Sequence, residues 1–176
     1  GIGKKWKKNI LLRLLYYAYI IPLRLLLRSR RKRFDDFTRN ELRTTRRKYN
    51  SFKELKEFPP EAEIFFAGSD QIWNTAHKHG RDPAFYLDFA LPGATRASYA
   101  ASFSIENIQE ECMDFVKAAL GKFDAISVRE ESGLRILRSL GINGGIVVLD
   151  PVFLLNRSIW NAVSSSGPFK DKYILI

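Results

Sequence analysis

An apolar run that stops abruptly on polar residues constrains the fold of this chain most. The run Ile64–Ala67 has the composition of a buried strand, and the residues after Gly68 are rich in hydrogen-bonding side chains. Open α/β sheets bind their ligands just beyond the carboxyl ends of such strands. Gly68 allows a sharp turn there, and Asp70 would then be held on a rigid base. The sequence therefore predicts a catalytic or binding edge after this strand.

Three further apolar runs downstream end in the same way. They are Arg96–Ala101 before Ser102-Phe103-Ser104, Phe123–Val128 before Arg129-Glu130-Glu131-Ser132, and Gly145–Leu149 before Asp150-Pro151. Four predicted strand ends thus carry polar residues. Right-handed crossover connections between parallel strands would bring all four ends to one edge of a sheet.

Two amphipathic helices are predicted between these runs. Apolar residues recur at intervals of three and four from Ile108 to Leu120, which is typical of a helix that faces a sheet. Leucines repeat in the same way from Leu134 to Leu140, and Gly141 is placed to end that helix. The alternation of strands and helices predicts an α/β fold with a mainly parallel sheet and covering helices.

The positive charge is concentrated near the N-terminus. The chain has 176 residues and a formal net charge of +10; residues 1–50 carry a net charge of +13, and residues 51–176 carry −3. The first 33 residues combine the cationic start Lys4–Lys8, an apolar middle and the cationic end Arg28–Arg33. We interpret residues 1–33 as a basic amphipathic arm.

Three partners are open for this arm. It could dock on its own protein, or it could lie on an anionic membrane surface. Binding to nucleic acid is disfavoured, because no zinc spacing, recognition helix or stacking platform accompanies the charge. A membrane-spanning segment is rejected because Leu14–Leu23 has only ten residues and contains Pro22, whereas a span needs about twenty. A signal peptide also fits poorly, since Arg13 interrupts the apolar region.

Chain ends, cysteine and histidines give weaker constraints. The chain begins without Met and ends on the strand-like residues 171–176, so we expect a fragment with pieces missing on both sides. Cys112 has no partner for an internal disulfide, which suits a reducing compartment. A metal site at His77 and His79 is disfavoured because no ligand cluster completes it, and we predict no metal.

Ser51 and Glu54 match a capping box for a short helix that ends before Pro59.

Five ordered motifs resemble the polysaccharide pyruvyl transferase family. They are Gly68-Ser69-Asp70-Gln71-Ile72-Trp73-Asn74, Phe85–Phe89, Ser98–Phe103, Ile126–Gly133 and Val148–Pro151, and the resemblance runs from about Phe34 to Trp160. It implies a fold similar to the two-domain glycosyltransferase-B arrangement, with two Rossmann-like halves. Residues 34–152 would form the first Rossmann-like domain, incomplete at its N-terminus. Residues 153–176 would form the crossover and the start of a truncated second domain.

The resemblance implies transfer of a pyruvyl (enolpyruvyl) group from phosphoenolpyruvate to hydroxyls of a polysaccharide or a lipid-linked glycan. Phosphoenolpyruvate is the donor substrate, and no cofactor is expected. The expected location is cytoplasmic, peripheral at the inner face of a bacterial membrane. Thr75 stands where the family often has Pro, and Ser104 stands where a Gly is usual. Because family members carry donor-binding basic residues in the second half, we expect this chain alone to be inactive.

Arg129 and Asp70 are the predicted catalytic residues. A guanidinium group can pair with the donor carboxylate or phosphate through two hydrogen bonds, which suits Arg129 at a strand end. Alternatively, Arg129 forms an ion pair with Glu130, Glu131 or Asp150 that only joins the sheet edge. Asp70 would orient a sugar hydroxyl or accept its proton.

The predicted substrate-binding residues each have a structural alternative or a neighbouring role. They are Ser69, Gln71, Trp73, Asn74, Ser102 and Glu130. Ser69, Asp70 and Asn74 could instead build the turn by bonding to backbone amides. Ser102 could cap a helix rather than contact a ligand. Trp73 could stack on a sugar ring or anchor the loop from below, and the anchor is the preferred alternative.

A second class of function is a catalytically inactive glycan-binding or interaction module of the same fold. It would keep the sheet and lose the donor-binding half. An intact downstream half with cationic residues would distinguish the enzyme from this module.

Overall fold

A computed structural model of the chain describes residues 10–164. The chain divides between Lys48 and Tyr49 into two compact units, which are considered separately. The predictions for the cationic start Lys4–Lys8 and for a strand over residues 171–176 lie outside the described residues. The domain boundaries at residues 33 and 152 stay predictions.

The described part of the first unit contains two helices that bury none of their residues. Helix α1 spans Ile10–Leu26 and contains Pro22, and helix α2 spans Arg28–Glu41. No single helix among residues 10–164 is long and apolar enough to cross a membrane. Taken together, α1 and α2 have the length and composition of a membrane span, but the pair is bent by 53°.

The described part of the second unit contains four short parallel strands. They are β1 (Ile64–Ala67), β2 (Thr95–Ser98), β3 (Ser127–Val128) and β4 (Ile146–Val147). Strands β1 and β2 pair with Ile64 opposite Thr95, and β3 and β4 pair with Ser127 opposite Ile146. Isolated parallel bridges join β2 to β3 at Ala97–Ala125 and at Ala101–Val128. Adjacent strands therefore follow one another in sequence order.

The side chains of two buried serines form part of the hydrogen bonding between β2 and β3. The Ser98 hydroxyl donates to the Ser127 carbonyl at 2.9 Å, and the Ser127 hydroxyl donates to the Ser98 carbonyl at 2.8 Å. The backbone N–H of Ser127 donates to Ser98 Oγ at 3.0 Å, and that of Ala100 donates to Ser127 Oγ at 3.1 Å. Because side-chain hydroxyls replace part of the backbone ladder here, the regular strand pairing is interrupted while the buried polar groups stay satisfied.

Helices connect the strands as the sequence predicted. The second unit contains α3 (Phe52–Glu57), α4 (Glu110–Leu120), α5 (Glu131–Ser139) and α6 (Arg157–Val163), with 3₁₀ turns at His79–Arg81, Pro83–Tyr86 and Pro151–Leu154. The amide of Gly141, at φ 77°, bonds to Arg138 O, and that of Ile142 bonds to Leu137 O. This is the Schellman pattern, so the prediction that Gly141 ends α5 is confirmed.

Helix α3 begins with the predicted cap. Ser51 Oγ accepts a hydrogen bond from the Glu54 amide at 3.2 Å. The Glu54 carboxylate reaches back to the Asn50 amide at 2.9 Å, one residue before the position of the standard capping box. The helix ends at Glu57, ahead of the prolines at positions 59 and 60.

The core packs around Trp73, which is fully buried. Its ring stacks on Tyr86 at a centroid distance of 5.9 Å and contacts Phe103 at 5.3 Å. A Cβ on Gly133 would lie 3.1 Å from Val128 Cβ, so the missing side chain lets α5 lie close to β3. The α/β class with small parallel sheets is confirmed, whereas the Rossmann-like and glycosyltransferase-B-like assignments stay predictions.

Candidate functional site

The polar residues that follow the strands lie on one edge of the second unit. The Ser102 amide, after β2, donates to the Asp70 carbonyl, after β1, at 3.1 Å. The Arg129 amide, after β3, donates to the Ala101 carbonyl at 3.2 Å. Arg129 Nη1 donates to Asp150 Oδ2, after β4, at 3.2 Å. The parallel strands therefore bring together four segments that are far apart in sequence.

Arg129 lies between two carboxylates. Besides Asp150, it has Glu130 Oε2 within 3.9 Å of its Nε atom. All three side chains are about one-third exposed, at 32% for Arg129, 27% for Glu130 and 31% for Asp150. These two ion pairs are those of the alternative interpretation, in which Arg129 only joins the sheet edge. Enough of the guanidinium is exposed for a ligand to reach it, so its predicted donor contact stays a prediction.

The carboxylate of Glu130 holds the loop after β2. Its Oε1 atom accepts hydrogen bonds from Ser102 Oγ at 3.1 Å, Phe103 N at 2.9 Å and Ser104 N at 3.1 Å. Ser104 has a left-handed backbone, with φ 51°, at the position where the resembling family usually has Gly. The bonds from two successive amides to one carboxylate stabilise this conformation in a residue that has a Cβ. Glu130 is therefore a positioning residue for this loop.

Ser102 faces inward. It is 1% exposed, its hydroxyl donates to Glu130, and its carbonyl accepts from the Trp73 amide at 3.2 Å. No helix begins within the next six residues, since α4 starts at Glu110. Ser102 therefore does not cap a helix; its buried side chain and carbonyl join the loop after β1 to the loop after β3.

Trp73 and Asn74 also belong to the scaffold. The Trp73 ring is fully buried, and its Nε1 atom donates to the Phe85 carbonyl at 3.1 Å. No ring face is open to a sugar, which corrects the prediction of ligand stacking in favour of the loop anchor. Asn74 is 5% exposed, and its Oδ1 atom accepts from the Ala76 amide at 3.1 Å. It builds the turn, as the structural alternative proposed.

Asp70 and Gln71 are exposed and line an open cleft of about 400 Å³. Asp70 Oδ1 accepts from the Gln71 amide at 2.7 Å, which fixes the carboxylate, and Oδ2 has no hydrogen-bond partner among residues 10–164. Ser69 is half-buried beside them. Of the predicted site residues, Asp70 and Gln71 are therefore the ones best placed for a ligand.

His77 and His79 line the same cleft, which the sequence did not reveal. Their rings stack with centroids 5.4 Å apart, and His79 Nε2 lies 2.9 Å from the Gln71 carbonyl. The described residues contain no group of three or more His, Cys, Asp or Glu side chains that could hold a metal. The alternate spacing of the two histidines was the available signal, and we had weighed it only as a disfavoured metal site.

Gly80 allows the loop that carries His77 and His79 to pack tightly against its own backbone. A Cβ at this position would lie 2.1 Å from the Asn74 carbonyl oxygen. The Tyr86 hydroxyl donates to the Gly80 carbonyl at 2.8 Å, and Arg81 Nε donates to the Thr75 carbonyl at 2.7 Å. The loop that carries both histidines is thus held from inside the core.

The two shifted pKa values lie in the scaffold. Burial, and then the neighbouring Cys112, raises the pKa of Tyr86 far above its usual value. Burial alone would raise the pKa of Asp88, but hydrogen bonds and charges from Lys122 and Lys56 outweigh it and lower that pKa. Lys56 belongs to α3 and Lys122 follows α4, so Asp88 ties both helices to the loop after β1.

Comparison with known proteins agrees with this arrangement. A family model described as polysaccharide pyruvyl transferase matches residues 8–176, which include all four strand ends. No curated protein and no solved structure matches the chain. Since the match covers almost the whole sequence, the chain belongs to the polysaccharide pyruvyl transferase family.

Proposed function

We propose that the protein transfers a pyruvyl group from phosphoenolpyruvate to hydroxyls of a polysaccharide or a lipid-linked glycan. The observation that carries the proposal is the exposed Asp70 carboxylate at the end of β1, in a cleft with two histidines and on the same edge as Arg129. Transferases of this kind need acid–base groups and anion contacts within one site. We infer cytoplasmic action, at the inner face of a membrane, from the chemistry of such an acceptor.

The reaction defines the groups that must be supplied. The enol carbon of phosphoenolpyruvate gains a proton and becomes a methyl group, and an acceptor oxygen bonds to the adjacent carbon. The bond from that carbon to the phosphate oxygen breaks, and a second acceptor oxygen closes a cyclic ketal. Of the two hydroxyl protons, one balances the proton on the methyl group and the other leaves with phosphate.

Asp70 is the proposed base for the acceptor hydroxyl. One of its oxygens is fixed by the Gln71 amide, and the other has no hydrogen-bond partner among the described residues. A fixed carboxylate with an open oxygen can accept a proton without first losing a protein partner. His77 and His79, in the same cleft, are proposed as the groups that carry protons between acceptor, donor and solvent.

Arg129 is the proposed contact for the anionic donor. We expect it to balance only part of the donor's negative charge. Glu130 and Asp150 already flank its guanidinium, so two carboxylates accompany one cation. Such a group does not attract a phosphate strongly by itself. We therefore propose that this edge mainly faces the acceptor hydroxyls. The donor phosphate would need further cations from the second half that the family resemblance implies.

The test is turnover by the natural full-length polypeptide, with phosphate release and pyruvyl incorporation into the glycan measured together. Asp70→Asn is expected to reduce kcat by about 100-fold or more, the usual contribution of a general base. Asp114→Asn, on the exposed face of α4, is the matched control and should retain activity. Equal activity of Asp70→Asn and the control would refute the assigned base.

Arg129 separates the enzyme from the inactive glycan-binding module. Its two carboxylate partners are the observation that favours the module, because they leave little net positive charge for a donor. Calorimetry with phosphoenolpyruvate distinguishes the two functions. Saturable binding by the full-length protein that is lost in Arg129→Ala supports the transferase. Glycan binding without any phosphoenolpyruvate binding supports the module.

A further inference from the structure

A groove lined by arginines lies where α1 meets α2. It encloses about 670 Å³, and its lining residues are Arg24, Leu27, Arg28, Arg30, Arg31 and Phe34. Arg24, Arg28 and Arg31 are spaced by four and three residues, so they lie on one side of the helical segment. The Arg30 guanidinium lies 5.9 Å from the centre of the Phe34 ring. The groove thus presents a row of cations beside apolar surface.

Carboxylates of the described residues do not neutralise this row. Within residues 10–164, Arg24, Arg28 and Arg30 form no ion pair, and Arg31 approaches Asp35 only at 4.0 Å. The side chains of that pair are 87% and 61% exposed, which makes the interaction weak. Planar guanidinium groups in one groove with at most a weak, exposed acidic contact suit the oxygens of a phosphate group.

Helix α1 is apolar and exposes most of its surface among the described residues. None of its residues is buried, and Leu14, Tyr19 and Leu25 are 62%, 70% and 62% exposed. Arg13 and Arg24 are its only charged residues, eleven positions apart, which places both on the same side of the helix. Most of the helix surface is therefore hydrocarbon, and a contiguous exposed apolar surface of this kind marks an interaction site.

We propose that residues 10–41 bind the surface of an anionic phospholipid bilayer. Helix α1 would lie at the boundary between headgroups and acyl chains, and the arginine groove would hold lipid phosphates. Charge complementarity selects this occupant, since the first 50 residues carry a net charge of +13. Nucleic acid would use the cations and leave the apolar helix in water. The site lies outside the proposed catalytic edge and does not depend on the transferase activity.

The experiment measures binding of the full chain to vesicles. Vesicles of phosphatidylcholine with phosphatidylglycerol are compared with vesicles of phosphatidylcholine alone, by flotation at low and high salt. We expect binding to the anionic vesicles, weakened by salt, and far weaker binding to the neutral ones. The triple variant Arg24→Gln/Arg28→Gln/Arg31→Gln should bind the anionic vesicles on the order of 100-fold more weakly, from about fivefold for each cation near the surface.

A matched variant removes the same charge elsewhere in the first unit. Arg43→Gln/Arg46→Gln/Lys48→Gln also lowers the net charge by three and lies outside the groove. It should weaken binding by about tenfold or less, because its cations lie further from the apolar helix. An equal loss in the two triple variants would mean diffuse attraction and would refute the groove.

A second pair of variants tests the apolar helix. Leu14→Gln/Leu25→Gln keeps every cation and should still weaken binding by about tenfold or more, since α1 then no longer favours the acyl boundary. Circular dichroism confirms that each variant keeps its helix content. Absence of vesicle binding by the parent chain would favour docking of the arm on its own protein. Duplex DNA binding that the groove variant loses, without vesicle binding, would favour nucleic acid; either result overturns the proposal.

Discussion

Helix α1 in the first unit and helix α5 in the second both carry leucines, yet only α5 has a fully buried one. Leu14 in α1 is 62% exposed, whereas Leu137 in α5 is fully buried against β3 and β4. Helix α1 is the more apolar of the two, so apolar composition by itself does not decide burial. A strand pair next to α5 provides a surface to pack on, and the described part of the first unit provides none. An apolar helix without such a surface indicates a partner outside its unit.

The two units also handle charge differently. In the second unit, Asp88 binds Lys56 and Lys122, and Arg129 lies between two carboxylates. In the described part of the first unit, Arg24, Arg28 and Arg30 line one groove without forming an ion pair, and Arg31 has only an exposed contact with Asp35 at 4.0 Å. Ions that are paired inside a unit fix its internal geometry, whereas unpaired cations remain available to an external anion.

The largest expected effect tests the comparison between the leucines of α1 and α5 directly. Leu137→Ala should lower the free energy of unfolding of the second unit by about 3 to 5 kcal/mol, because it leaves a cavity in the core. Leu14→Ala in α1 is the matched control and should change it by less than about 0.5 kcal/mol. Urea denaturation followed by circular dichroism measures both. Similar losses would mean that α1 is packed in the folded protein.

The next effect concerns the loop that carries the two histidines. Gly80→Ala should cost about 2 to 3 kcal/mol, since the new Cβ would overlap the Asn74 carbonyl and force the backbone to move. Gly68→Ala is the control, because a Cβ there meets no atom within 4 Å. Thermal unfolding reports the difference. A stable Gly80→Ala protein would show that the loop is looser than its contacts indicate.

The paired serines of β2 and β3 should give a smaller, coupled effect. Ser98→Ala and Ser127→Ala should each cost about 1 to 2 kcal/mol, because each leaves buried backbone groups without a partner. The double variant should cost less than the sum of the two, by about 0.5 kcal/mol or more. Ser29→Ala on the exposed surface of α2 is the control. Strict additivity would indicate that the two hydroxyls act independently.

The smallest effect depends on pH. The pKa of Asp88 is lowered in the folded state, so its contribution is present above the unfolded value, roughly 3.9, and is lost as pH falls through the folded value. Asp88→Asn should therefore destabilise the second unit by about 0.5 to 1 kcal/mol at neutral pH, and the difference should vanish in strong acid.

The matched comparison for Asp88 lies in the first unit. Asp36→Asn removes an exposed contact with Arg39 at 3.4 Å on α2. The Asp36→Asn substitution should change the free energy of unfolding of the protein by less than about 0.5 kcal/mol. A pH-independent loss in Asp88→Asn would show that the carboxylate acts through shape rather than charge.

Much of the fold could be predicted from local patterns. The period of three and four between Ile108 and Leu120 indicated α4, and Gly141 marked the end of α5 because its left-handed backbone favours glycine. The paired serines could not be predicted, since their bonds cross 29 positions of sequence. The cleft beside Asp70 was missed for a different reason: a loop of irregular backbone brings His79 to Gln71, and irregular backbone leaves no periodic pattern in the sequence.

The sequence by itself determined the order of strands and helices, the polar residues at the strand ends and the concentration of positive charge in the first 50 residues. These follow from periodicity, from Gly and Pro and from composition, all of which act locally. Only the tertiary structure decided which of these polar side chains stay exposed. Ser102 bonds to Glu130 across 28 positions and Trp73 packs inward, while Asp70 stays open. Exposure depends on packing between segments distant in sequence, and no local pattern encodes it.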